Sequence, residues 1–180
     1  MLFRIILILR CFVIGYMYLN NLSNKFIKEF LRANTLLDIY HVKSNPCKKM
    51  SIEHIIPRSF ENKNHPYIYD LHLLQYVNNK LNNWRSNYKF GIIKEINPNV
   101  RFFETIDEVM INKIQINDLV IKDTIKKIFQ PPTLSRGIIA RTCAYFIFTY
   151  PQYNYIIDKL IDKEILVKWN NEYPVTINEF

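Results

Sequence analysis

A carboxylate and an imidazole stand side by side in Ser51-Ile52-Glu53-His54-Ile55-Ile56-Pro57. About thirty residues later, Asn82-Asn83-Trp84-Arg85-Ser86-Asn87 adds carboxamides and a guanidinium at helical spacing. Glu53 offers a hard oxygen ligand and Asn82 a neutral one. His54 can take a proton from water near neutral pH without any shift of its pKa, and Arg85 can grip a phosphate or a carboxylate. A metal-dependent phosphodiesterase needs that set. Each residue taken singly has an ordinary reading as well. Adjacent side chains on a strand point to opposite faces, so Glu53 could be solvated and His54 part of a core, and asparagine recurs throughout the chain.

Such residues need elements to position them. Leu22 to Tyr40 predicts a helix, with Leu22, Phe26, Ile27, Phe30 and Leu31 on one face, ended by Asn45-Pro46. Lys49 to Ile56 reads as a short strand carrying Glu53 and His54 near its end, Pro57 to Tyr69 as a polar loop, and Asp70 to Tyr76 as a second extended stretch. Val77 to Trp84 switches to helical period, with Val77, Leu81 and Trp84 inward and Asn78, Asn82 and Arg85 on a neighbouring face. Further on, Val100 to Phe103 is extended, and Ile106 to Phe129 predicts short strands and turns. Pro131-Pro132 breaks the chain before Ile138 to Tyr150, a helix apolar almost all round and hence central and buried. Ile156 to Trp169 predicts one amphipathic helix, with Ile157, Leu160, Ile161, Ile165 and Trp169 on its inner side. The fold class is α+β.

One hundred and eighty residues suit one domain with a real core. Lys and Arg number 24 against 16 Asp and Glu, and the net +8 favours a polyanionic partner, either nucleic acid or an anionic membrane surface. At 49% apolar and 14% aromatic residues, a disordered tail protein is excluded. Cys11, Cys47 and Cys143 form no C-x-x-C pair, which argues against a disulfide framework or a zinc knuckle. A zinc site from Cys47, His54, His65 and His72 is conceivable but matches no closed tetrahedral spacing. Leu2 to Leu19 is apolar apart from Arg4 and Arg10, and reads as a signal peptide, a membrane anchor or a buried N-terminal helix. The first two readings imply a secreted, periplasmic or membrane-associated protein, the third an intracellular one.

Three groups of residues taken together carry a resemblance: Glu53-His54-x-x-Pro57, Asp70-Leu71-His72-x-Leu74, and Asn82-x-x-Arg85-Ser86-Asn87-Tyr88-x-Phe90-Gly91. They resemble the signature of the bacterial endonuclease I family, secreted or periplasmic nucleases of the ββα-metal (His-Me finger) superfamily. Pro131-Pro132 followed by Arg136-Gly137-Ile138-Ile139-Ala140-Arg141-Thr142 and Tyr145-Phe146 is similar to the family's second block, and Trp169-Asn170-x-x-Tyr173-Pro174-Val175 to its third. The blocks run in family order from about Tyr40 to Glu179. The resemblance implies one nuclease domain over residues 20–180, with a ββα-metal finger at about 49–90 packed against a mainly helical remainder.

Carried over position by position, it implies that Glu53 and Asn82 hold a single Mg2+ or a similar ion such as Mn2+ or Ca2+, and that His54 is the general base. Arg85 and Asn87 would brace the finger's helix, and Asp70 and His72 the strand before it. Arg136 and Arg141 would either contact phosphate or pair with acids near the buried helix. The implied activity is cleavage of DNA or RNA, largely without sequence preference, to 5′-phosphate products, by a monomer needing no small-molecule cofactor. Two departures stand out. The loop before Asp70 is short, leaving Arg58 as the arginine beside the catalytic strand, and the sequence stops at Phe180, before the family's Arg-Asn and Asn-Pro-Phe motifs. They frame the alternative of a catalytically inactive relative that binds nucleic acid or plays a structural part.

Overall fold

A computed structural model describes residues 24–34, 39–40, 49–61, 65–103, 116 and 119–175. The apolar segment 2–19, Asn45-Pro46, Cys11, Cys47 and most of the stretch 104–118 lie outside the described residues. Among those described, no helix is long and apolar enough to cross a membrane.

The first described element, α1 (Asn24–Asn34), buries Ile27 and Leu31 against Leu74, with Ile52 and Tyr76 at the margin. Phe26 and Phe30 lie outside that contact and stack on each other, 6.3 Å apart. Leu22 of the predicted face lies outside the described residues, and α1 rests on a two-stranded ribbon. That ribbon pairs β1 (Met50–His54) with β2 (Leu74–Asn78) in antiparallel register, Met50 opposite Asn78 and His54 opposite Leu74. Bonds from the Asn79 N–H to the Lys49 carbonyl and from the Ile55 N–H to the Leu73 carbonyl extend the ladder at both ends. The odd-numbered residues of β1 therefore exchange bonds with β2, and the carbonyls of Ile52 and His54 turn to the unpaired edge.

Between the strands, the expected loop contains 3-10 turns at Arg58–Phe60 and Pro66–Tyr69, and a third at Leu71–Leu73 occupies the start of the expected second strand. Asp70 caps that third turn by accepting the His72 N–H, which delays β2 to Leu74. Asn78 ends β2 and caps α2 (Asn79–Arg85), its carboxamide oxygen accepting from Lys80 and Leu81 N–H at 2.9 and 3.2 Å. The helix thus starts two residues later than periodicity predicts. Val77 belongs to the strand, and Asn78 is a cap rather than a neighbour of Asn82.

A second sheet holds β3 (Lys89–Phe90), β4 (Val100–Phe102), β5 (Ile121–Asp123) and β6 (Ile128–Gln130) in the order β3-β6-β5-β4, with β3 parallel to β6 and the other pairs antiparallel. The buried Gln130 amide fastens it. Its oxygen accepts the Ile93 N–H at 2.7 Å, and its nitrogen donates to the carbonyls of Ile116 and Leu119. Pro131-Pro132 leads directly into α3 (Thr133–Thr149), which begins five residues before the predicted start. Ile139, Ala140, Cys143 and Phe146 are wholly buried, whereas Leu134 and Phe148 face solvent, so this helix is not apolar-buried on every side.

The single amphipathic helix expected at the end is two, α4 (Tyr155–Leu160) and α5 (Lys163–Glu172). Ile161 between them is extended and bridges to Phe90 of β3, so pairing with the sheet interrupts the helix. α5 packs on α3 around the buried Trp169. Gly137 of α3 lies so close to the exit of α5 that a Cβ there would meet the Tyr173 carbonyl oxygen. One core joins Ile55, Val77 and Leu81 of the finger to Phe90, Phe129 and Phe146.

Candidate active site

Helix α2 covers the unpaired edge of β1. Asn82 and Arg85, three residues apart, face it together. The Asn82 side-chain nitrogen donates to the Ser51 hydroxyl at 2.9 Å and to the Ile52 carbonyl at 3.0 Å. Arg85 donates through Nη1 to Glu53 Oε1 at 2.6 Å and to the His54 carbonyl at 3.2 Å, and through Nη2 to the Ile55 carbonyl at 3.2 Å. Both carbonyls that the ladder leaves open are thereby satisfied from α2. With its nitrogen fixed to β1, the Asn82 carboxamide keeps Oδ1 without a hydrogen bond among the described residues.

Glu53 is 2% exposed and takes both its donors on Oε1, from Arg85 and from the Tyr40 hydroxyl at 2.9 Å. Burial pushes its carboxyl above the usual carboxylate range, against the opposing pull of the Arg85 guanidinium and the two hydrogen bonds. Arg85, 1% exposed, also stacks 4.3 Å over the Phe90 ring. Tyr40 is held from the other side: its ring meets Phe129 edge-on at 5.5 Å, and the Ser135 hydroxyl of α3 donates to the neighbouring Ile39 carbonyl.

The backbone carbonyl of Ile68 lies near the His54 imidazole and favours its charged form. Burial lowers its pKa to about 4, and the charges of Arg58 and Arg85 push the same way against the Ile68 carbonyl. The ring is therefore neutral at physiological pH. Glu53, His54, Arg58, Asn82, Arg85 and Asn87 line one cleft of about 280 Å³. Successive side chains of β1 leave opposite faces of the ribbon, yet Glu53 and His54 both line this cleft, together with residues of α2. Ser86, at φ 57° and ψ −130°, begins a turn closed by the Tyr88 N–H on the Arg85 carbonyl at 3.3 Å. This is type II′ geometry, which favours glycine at that place. The bend carries Asn87 onto the cleft wall, where its side-chain nitrogen donates to the Ser59 hydroxyl at 3.3 Å.

Asp70 and His72 stand outside the cleft lining. Asp70 accepts the His72 N–H and ring nitrogen at 3.0 and 2.9 Å, and its second oxygen accepts the hydroxyls of Tyr145 of α3 and of Tyr150 just past its end, each at 2.9 Å. Burial alone would raise this carboxyl, but its hydrogen bonds from His72 and Tyr150 outweigh burial and hold the pKa below the ordinary value. The cluster ties the start of β2 to α3.

Arg136 and Arg141 also lie outside the cleft lining. Arg136, 2% exposed, lies over the rings of Trp169 and Tyr173 and donates to the Pro131 carbonyl and the Tyr173 hydroxyl. Such burial withdraws it from a phosphate arriving through solvent. Arg141 donates to the Tyr173 carbonyl at 2.7 Å. Among the described residues no three His, Cys, Asp or Glu side chains form a metal-binding group. His65 packs instead against Tyr67 and Tyr153, and His72 against Tyr145, so the histidines of the conceivable zinc site serve separate contacts.

Sequence reasoning assigned no role to Tyr40, the Ile68 carbonyl, Ser59 or Tyr150. Tyr145 stood in a recognised block but without a task, and only the folded distance to Asp70 supplies one. The family model for endonuclease I matches residues 35–180, including the whole ribbon and α2. The class is therefore nuclease, a hydrolase of nucleic acid. More narrowly, this chain belongs to the endonuclease I family. No curated protein matches it significantly.

Proposed function

We propose that this protein is a divalent-metal-dependent endonuclease of low sequence preference, cutting DNA, with RNA as the alternative substrate, to leave 5′ phosphates. One observation carries the reading: a neutral imidazole shares a cleft with the oxygen ligands offered by Glu53 and Asn82. Glu53 and Asn82 would hold the ion. Two hard oxygens, one charged and one neutral, suit Mg2+, Mn2+ or Ca2+, which complete their shells with water and phosphate oxygens. When bound, such an ion supplies positive charge to the phosphate and the departing oxygen.

The chain's own residues do the rest. His54 accepts the proton of the attacking water on a ring nitrogen, and the nearby Ile68 carbonyl favours the imidazolium that forms. The new bond joins the water oxygen to phosphorus while the bond from phosphorus to the 3′ oxygen breaks and that oxygen takes a proton from solvent, giving a 5′ phosphate and a 3′ hydroxyl. Arg58, exposed at the cleft, is placed to pair with a non-bridging phosphate oxygen. Contacts with phosphate carry no base information, which is the reason for expecting low sequence preference. Every residue in this scheme comes from one chain, so a monomer suffices.

Nicking of supercoiled plasmid tests the reading, with magnesium or EDTA and with wild type beside His54→Ala. Wild-type nicking should vanish in EDTA and fall by about 10² to 10⁴ in the variant. Full activity in His54→Ala would remove His54 from the scheme, and DNA that is retarded but uncut in every lane would favour the inactive binder.

A further inference from the structure

Two lysines beside the cleft wall have no part in the scheme above. Tyr88 follows Asn87 directly, and its ring carries two ammonium groups: Lys122 Nζ at 5.1 Å and Lys127 Nζ at 5.0 Å from the centroid. Lys127 also donates to the Tyr88 hydroxyl at 3.2 Å. Lys122 lies 4.6 Å over the Trp84 ring and donates to the Trp84 carbonyl, in the last turn of α2. Neither lysine forms an ion pair among the described residues.

The backbone beneath them is built at a cost. Asp123 shapes the β5–β6 turn by accepting the N–H groups of Ile125 and Lys126 at 2.9 and 2.8 Å. Lys127 then adopts φ 56°, a left-handed conformation that glycine or asparagine enters with less strain, and its carbonyl accepts the Lys89 N–H. The turn would thus form more easily without a lysine at this position. Two like charges on one ring repel, and a polyanion relieves that repulsion. The ring face is occupied by cations, so the surface suits phosphates rather than a stacked base.

We propose that Tyr88, Lys122 and Lys127 form a second phosphate-binding platform, which grips the substrate strand outside the cleft at phosphates that are not cut. The identity of the strand rests on the nuclease reading. The platform makes a further claim, that affinity comes partly from nucleotides beyond the scissile bond.

Binding in EDTA, where nothing is cut, isolates this claim. The affinity for a duplex of about twenty base pairs is measured against salt for wild type, Lys127→Asn, Lys122→Gln, and Lys168→Gln as a charge-matched control on α5. Each lost phosphate contact should reduce the slope of log K against log salt by about 0.9, so that a fourfold rise in salt costs about 3.5-fold less affinity than in wild type. Lys127→Asn should show this with weaker binding at low salt and no loss of Tm, since the substitution relieves backbone strain. Lys122→Gln should show a similar fall in slope, and Lys168→Gln the wild-type slope. A wild-type slope in folded Lys127→Asn overturns the proposal. If the slope falls while wild type cuts nothing in magnesium, the platform stands and the nuclease reading fails. If wild type cuts and the slope is unchanged, the platform alone is lost.

Discussion

Replacing Arg85 with methionine keeps an aliphatic stem against Phe90 and removes the guanidinium. Glu53 then retains only the Tyr40 hydroxyl, and the carbonyls of His54 and Ile55 lose their donor. Removing one partner of a buried pair costs about 3–5 kcal/mol. For a chain of this size that is a fall in Tm of roughly 6–20 °C. The double variant Glu53→Gln/Arg85→Met removes the stranded charge and should regain at least about 1 kcal/mol over the single. Urea unfolding followed by far-UV circular dichroism, in EDTA, measures all three proteins. The pH dependence has a defined sign. Burial raises the Glu53 carboxyl in the native state, so between its unfolded and folded values the native state holds more protons, and stability declines as pH rises. Loss of Arg85 removes an opposing influence, so the variant's deficit should be large at pH 7 and shrink towards pH 4. A loss below about 1 kcal/mol at pH 7, the size expected of an exposed pair, would refute this account. So would a double variant no more stable than the single.

Other expectations are as direct. With His54 lowered to about 4, first by burial and then by Arg58, the acid limb of kcat/KM lies near that value. At pH 5.5 wild type keeps nearly full activity, where an unperturbed imidazole would keep about a tenth, and Arg58→Gln moves the limb up towards 6.5. Asp70→Asn loses about 2–4 kcal/mol at pH 7 in urea titrations. The folded pKa of Asp70 is depressed, so wild type holds this advantage above the unfolded value and surrenders it as pH falls through the folded one. Gly137→Ala gains about 1 kcal/mol of helix propensity but sets a methyl against the Tyr173 carbonyl. A net loss of about 1–3 kcal/mol is expected, and a raised Tm would contradict the close approach of α3 to the exit of α5.

What could be read in advance was whatever short-range pattern dictates. The strand bearing Glu53 and His54, the helix bearing Asn82 and Arg85, and their order are legible because alternation, capping and spacing act within a few residues. Boundaries moved where a side chain competed with the pattern: Asn78 as a cap, Asp70 as the lid of a 3-10 turn. The predicted final helix failed for a non-local reason, since Ile161 pairs with Phe90, 71 residues away in sequence, and no periodicity registers that. Arg136 and Arg141 show the same limit. Their positions in a recognised block were visible, but their turning towards Tyr173 depends on how α3 meets α5. The partners of Glu53 divide likewise: Arg85 was named from its motif, whereas Tyr40 contributes through a fold that only Ser135 and Phe129 complete.

The two hydroxyls that hold Asp70 come 75 and 80 positions later in the chain. A nascent polypeptide therefore has both strands and the helix of its finger before it has the tyrosines that fasten them. At ordinary elongation rates of about 5–20 residues per second, the interval is roughly 4–16 s. Through that interval the cleft lacks its anchor to α3, and a chain interrupted before Tyr150 never acquires it in full. The finger is thus made first and fastened last.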